Sequence, residues 1–276
     1  MKTLAHAIEM YGLTDAGMVR SHNEDAIVFE ADSGLAILAD GMGGYNAGEV
    51  ASGIATTLLA QGVKAAIEVV PPHVPEALSG KSAAHRILRL EIEKANLAIF
   101  QTAQSQPQCA GMGTTLVSAL FYDNRMTSAH VGDSRLYRLR GAEFGPLTRD
   151  HSLLQEQLDN GLITPDEARR SQNKNLVTRA VGIDPQLDPE LNDFEVQVGD
   201  VYLLCSDGLN DMVDDADIGA VLSTVSGNLP LAAEQLIQMA NDNGGRDNVS
   251  VILIRINRSF AAERSLWARL FGWLAG

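Results

Sequence analysis

Four aspartates in this chain stand within two residues of glycine at the ends of apolar segments. Asp40 follows the apolar run 35–39 and opens Asp40-Gly41-Met42-Gly43-Gly44. Asp207 follows the run 201–205 and opens Asp207-Gly208-Leu209-Asn210-Asp211. Asp247 lies in Gly244-Gly245-Arg246-Asp247-Asn248, directly before the run 249–256, and Asp133 lies in Gly132-Asp133-Ser134-Arg135. Carboxylates at strand ends can be aimed at one point, because strands are rigid and their ends line a cleft. Several carboxylates brought together repel one another and retain protons. A hard divalent cation removes that conflict and prefers oxygen ligands. The pattern therefore predicts a carboxylate site holding more than one metal ion.

The elements that must position these acids are legible in part. The run 35–39 reads as a strand and 47–63 as an Ala- and Leu-rich helix. A longer helix is predicted over 81–104, where Ile87, Leu88, Ile92, Ala95 and Ile99 recur at helical spacing. Residues 115–121, 126–131 and 135–140 read as three strands joined by tight turns, which require antiparallel pairing. Strands are also expected at 201–205 and 249–256, with helices at 216–223 and 230–241 between them. The stretch 145–185 is polar and reads as a flap. It carries two helix starts, Ser152-Leu153-Leu154-Gln155 and Thr164-Pro165-Asp166-Glu167. We expect a single catalytic domain over 1–256. Residues 257–276 read as a tail, with a short amphipathic helix at 265–274 that either packs on the domain or docks on a partner or membrane surface.

Composition narrows the class. The chain has 276 residues, 45% of them hydrophobic, enough for a sizeable core. Its net charge of −14 argues against nucleic acid as a partner. Two cysteines, Cys109 and Cys205, provide no disulfide framework. We expect a cytoplasmic protein, with no secretory signal and no membrane-spanning run.

Five blocks stand in order: Arg20-Ser21-His22-Asn23-Glu24-Asp25, Asp40-Gly41-Met42-Gly43-Gly44, Gly132-Asp133-Ser134-Arg135, Ser206-Asp207-Gly208-Leu209-Asn210-Asp211 and Gly245-Arg246-Asp247-Asn248-Val249-Ser250. Gly111-Met112-Gly113-Thr114-Thr115 and Asp150-His151-Ser152 fit between them. The ordered set resembles the metal-dependent serine/threonine protein phosphatases of the protein phosphatase 2C family, in their bacterial form. The resemblance covers about residues 10–256 and implies an α+β fold, a four-layer α-β-β-α sandwich of two mainly antiparallel sheets flanked by helices.

It further implies hydrolysis of phosphoserine and phosphothreonine in proteins, by a water bridging two Mn²⁺ or Mg²⁺ ions. Asp40 matches the carboxylate that bridges both ions, with the Gly41 carbonyl as a further ligand. Asp207 and Asp247 match the other direct ligands, and Glu24 a residue that holds a metal-bound water. Arg20 matches the arginine that grips the substrate phosphate, a role suited to its guanidinium fork. The bland alternative for Arg20 is an ion pair with Glu24 or Asp25. Asp133 and Asp211, with Asp207, match a third and weaker ion site of bacterial members; ordinary turn and cap roles remain open for both. The implied partners are phosphorylated proteins and a cognate bacterial Ser/Thr kinase, and the implied state is a monomer.

Two positions depart from the family pattern. Met42 stands where animal members carry a histidine proposed to protonate the leaving alkoxide, and a thioether cannot donate a proton. His22, His151 and a water on the metal are the alternatives. Tyr45 stands where many bacterial members have histidine and is expected to flank the cleft. Two other functions stay open: a phosphoprotein-binding module of weak activity, and a hydrolase acting on a small phosphate ester or a phosphorylated transcription regulator.

Overall fold

The computed structural model describes residues 3–44, 47–76, 80–164, 167–168 and 176–262. Two antiparallel sheets face each other. In the first, the strand order is β1 (Ile8–Asp15), β11 (Val249–Ile256), β10 (Val201–Cys205), β7 (Arg135–Arg140) and β8 (Glu143–Pro146). In the second it is β2 (Asp25–Glu30), β3 (Leu35–Met42), β5 (Leu116–Tyr122), β6 (Arg125–Val131) and β9 (Glu190–Glu195). The short β4 (Gly113–Thr114) pairs with the end of β3.

The long apolar strands are explained by burial on both faces. In β10, Leu203 and Cys205 pack toward α5 (Asp215–Val225) and α6 (Leu229–Asp242). Tyr202 and Leu204 pack the other way, with Phe121, Val117, Ile252 and Ile254, in the layer between the sheets. The second sheet is covered in turn by α1 (Ala47–Val69) and α2 (Ala83–Ser105). The result is the α-β-β-α sandwich, with one apolar layer inside and one under each helix pair.

In α1, Ala51, Ala55, Leu59 and Val63 recur every fourth residue and are buried. The helix is apolar and long enough to cross a membrane by length and composition. One face of it, with Ala51, Ala55, Leu59 and Val63, serves the core, while Val50, Leu58 and Val69 are exposed. It also ends at Val69, six residues beyond the expected end.

The β5–β6 connection uses Asp123 and Asn124, both with positive φ (46° and 52°), the conformation of a tight hairpin turn. Asn124 and Asp123 also accept the N–H groups of Phe260 and Ala262 at 2.7 Å, strapping the chain beyond β11 to this turn. In the flap region, Ser152 caps α3 (Leu153–Asp159) by accepting the Gln155 N–H. Thr164 and Glu167 form the reciprocal bonds of a capping box. Besides the two-residue β4, the edge strands β1, β2, β8 and β9 were not expected from sequence. Each is partly solvated: β9, for example, carries Glu190, Asn192, Asp193 and Glu195 along a sheet edge. The expected tail helix lies outside the described residues, as does Tyr45.

Candidate active site

Pairing of β2 with β3 sets Asp25 opposite Asp40. The main chain of Asp40 is tied down by both threonines that follow Gly113. Its N–H donates to the Thr115 hydroxyl (3.1 Å), and its carbonyl accepts the Thr115 N–H and the Thr114 hydroxyl, each at 2.8 Å. From the first sheet, Asp207 begins the short α4 (Asp207–Asn210) after β10, and Asp247 lies two residues before β11.

Three side chains sew the two sheets together here. The Asn248 side chain accepts the Glu24 N–H at 2.8 Å and donates to the Ala16 and His22 carbonyls at 3.0 and 2.9 Å. The hydroxyls of Ser206 and Ser250 donate to Asp25 Oδ2 at 2.8 and 2.6 Å. Close backbone approach explains one glycine pair: a Cβ on Gly41 would sit 2.1 Å from the Gly48 carbonyl oxygen, and one on Gly48 would strike the Glu24 carboxylate.

The electrostatics mark one cluster. Burial pushes the Asp40 carboxyl well above the usual carboxylate range, and Asp25, Asp207, Asp133 and Asp247 push it further. Burial does the same to Asp207, helped by Asp133, Asp211, Asp247 and Asp25. Asp25 is raised by burial to about 6, against the opposing hydrogen bonds from Ser250 and Ser206. Asp133 is raised to about 6 by burial and then by Asp150. Glu24 is raised by burial, with Arg20 and the Gly48 N–H acting in the opposite sense. Carboxyls drawn from both sheets thus feel one another across one site. Asp40, Asp207, Asp247, Asp133 and Asp211 all enter that set, with Glu24 at its edge.

Arg20 reaches into it. Its Nη2 donates to Asp247 Oδ2 at 2.8 Å, and this pair raises its pKa against the opposing effect of burial. The ion-pair partner is therefore Asp247, not Glu24 or Asp25. Beside the cluster a cleft of about 600 Å³ is lined by Asp133, Asp207 and Asp211 and by the flap residues Leu154 and Leu158.

The residues fit divalent cations. Glu24 Oε1 and Asp25 Oδ1 are buried with no hydrogen-bond donor among the described residues. Every donor in the set is an oxygen, as Mg²⁺ and Mn²⁺ prefer. Asp25 is the member to which sequence reasoning assigned no role. The available signal was its place next to Glu24, at the head of a segment that pairs with the Asp40 strand. The histidines proposed as proton donors are placed differently. His151 is buried and engaged with Gly132 and Glu190, whereas His22 is exposed.

Two facing antiparallel sheets with a shared acidic cluster and an arginine at its rim define a metal-dependent hydrolase of phosphate esters. The model of the family described as Protein phosphatase 2C matches residues 18–241. Protein phosphatase PhpP of Streptococcus pneumoniae is 39% identical over 260 residues, covering 92% of this chain and all of that protein. The serine/threonine phosphatase Stp1 from Staphylococcus aureus superposes with a TM-score of 0.81 at 34% identity, over 94% of this chain and 98% of its own. The catalytic domain of the serine/threonine protein phosphatase PstP, solved in complex with two manganese ions, gives a TM-score of 0.76 at 36% identity, over 91% and 99%. The chain belongs to the protein phosphatase 2C family and is a serine/threonine protein phosphatase.

Proposed function

We propose that the acidic cluster holds two Mn²⁺ or Mg²⁺ ions and that the chain hydrolyses phosphoserine and phosphothreonine in proteins there. Asp40 and the Gly41 carbonyl would hold both ions. Asp207 and Asp247 would hold them from the other sheet, and Glu24 with Asp25 would bind the water around them. When bound, such ions supply an acidified water as nucleophile and neutralise charge on the oxygens of an in-line displacement. Arg20, at the rim of the cluster and paired with Asp247, would orient the phosphate, since a guanidinium fork suits phosphate oxygens through two parallel N–H bonds. Asp133, Asp207 and Asp211 would hold a third, weaker ion. The cleft beside them gives the phosphoprotein segment a place to lie.

One observation carries this reading: mutually repelling carboxyls from both sheets, two of them with buried oxygens that no donor among the described residues satisfies. The manganese pair in the related PstP domain supports it. The reading extends to a Ser/Thr kinase as the opposing enzyme, to a monomer carrying the whole site, and to the cytoplasm. Two buried free cysteines suit that reducing compartment.

The test is phosphate release from a phosphothreonine peptide with and without Mn²⁺, comparing the native chain with Asp207→Asn. Metal-dependent release that the variant loses is expected. Equal rates in the two proteins would remove the metal mechanism.

A further inference from the structure

His130, His151 and Glu190 bring three ligand-type atoms within 4.8 Å of one another. Their geometry opposes ion binding. The imidazoles are stacked, with centroids 4.6 Å apart and planes 21° from parallel. A ring-nitrogen lone pair lies in its own ring plane, so stacked rings cannot aim both at one ion. His151 Nδ1 already accepts the Gly132 N–H at 3.2 Å. That bond fixes the proton of the neutral ring on Nε2, which faces Glu190 at 3.4 Å. Burial, with His130, holds the His151 pKa below its usual value, in keeping with a neutral acceptor.

What the cluster holds is the Gly132–Ser134 turn. The His151 N–H donates to the Gly132 carbonyl at 2.9 Å, so His151 grips both polar groups of one glycine. The residues before it are held to the same region. His130 Nε2–H donates to the Arg149 carbonyl at 2.9 Å, and Arg135 binds Asp150 through two bonds of 2.8 and 2.7 Å. Gly132 has φ near +102°, and a Cβ there would meet Thr115 Cγ2 at 2.7 Å.

The turn is linked onward to the bridging aspartate. Ser134 Oγ bonds Thr115 Oγ1 at 2.7 Å, and Thr115 in turn bonds both the N–H and the carbonyl of Asp40. On the flap side, the His151 carbonyl accepts the Thr178 N–H at 2.8 Å, and Val181 pairs with Thr114 through 3.0 and 2.8 Å bonds.

We propose that His151 is a positioning residue: its two-point grip on Gly132 sets the direction of Asp133 and couples the flap to the third ion site. The proposal rests on the reading that Asp133 belongs to such a site.

The experiment is a Mn²⁺ titration of the full chain, by calorimetry and by the electron paramagnetic resonance of free Mn²⁺. Four proteins are compared: native, Asp133→Asn, His151→Phe and His151→Asn. Phenylalanine keeps a ring against His130 but offers no acceptor. Asparagine places an oxygen where Nδ1 stands. The native chain is expected to bind two ions tightly and one weakly, with Asp133→Asn losing the weak one. His151→Phe should weaken that ion by about tenfold, the value of one hydrogen bond, while His151→Asn restores it to within about threefold. Two retained tight ions certify the fold of each variant. If His151→Phe does not fold, His151→Gln serves in its place, since its longer amide leaves the Nδ1 position empty.

An unchanged third ion in the acceptor-less variant, with Asp133→Asn losing it, overturns the positioning role alone. Two ions in both the native chain and Asp133→Asn overturn the third-site reading, and the positioning role with it.

Discussion

Asp200 and Asp40 are both aspartates set into the sheets of this enzyme, and their surroundings are opposite. Asp200 is 2% exposed and saturated with donors. It takes two bonds from Arg140 at 2.8 and 2.7 Å, the Gln197 N–H at 2.8 Å and the Tyr202 hydroxyl at 2.9 Å. Burial pushes its carboxyl up, but those donors outweigh burial and hold it below the usual range. Asp40 has acids for neighbours, and both burial and charge push it up. A structural carboxylate is delivered with its donors, whereas a functional one is delivered with competitors and left for a cation to complete.

That contrast can be broken at either end. Asp207→Asn removes one carboxylate, a proposed metal ligand, from the acidic set. Its Mn²⁺-dependent turnover of a phosphothreonine peptide should fall on the order of 10³-fold, the size of loss seen when one electrostatic stabiliser is removed. The metal-free variant should melt no lower than the native chain, because one repelling charge is gone.

Asp200→Ala should do the reverse. Stripping the partner from Arg140 should lower unfolding stability by about 3 kcal/mol in a denaturant titration. The folded fraction should keep near-native kcat.

Arg20→Lys sharpens the comparison at the rim. A point charge replaces a fork, so KM should rise about tenfold with a smaller change in kcat, and Mn²⁺ affinity should hold.

The smallest effect is on pH dependence. Asp25 and Asp133 sit near 6 in the folded, metal-free chain, against about 3.9 unfolded. Between those values the folded state binds more protons. Metal-free stability should therefore be fullest below about pH 4 and fall as pH rises through about 6. Asp200, lowered in the fold, contributes with the opposite sign and is lost on acidification. Melting curves of the native chain and Asp200→Asn, with chelator and with saturating Mn²⁺, separate the two. Saturating Mn²⁺ should abolish the first slope and leave the second.

The sequence made the central strands legible because they are apolar on both faces, and 201–205 and 249–256 match β10 and β11 residue for residue. The edge strands escaped because one side meets solvent and their composition is mixed; β2 runs Asp-Ala-Ile-Val-Phe-Glu. Asp40, Asp133, Asp207 and Asp247 were readable as strand-end aspartates near glycine. Asp25 was not, because its role comes from register opposite Asp40, and pairing register is a property of two strands at once. Nor could sequence choose Asp247 as the partner of Arg20, since that contact spans residues 227 positions apart.

The acids of this site stand on opposing halves of the sandwich, Glu24, Asp25 and Asp40 on one and Asp207 and Asp247 on the other. An ion held among them is thereby a rivet through the whole molecule as well as a chemical tool. Cofactor supply then sets how long the protein survives in a cell as well as how fast it works. Starvation for manganese or magnesium should shorten the lifetime of the polypeptide before any regulator touches it.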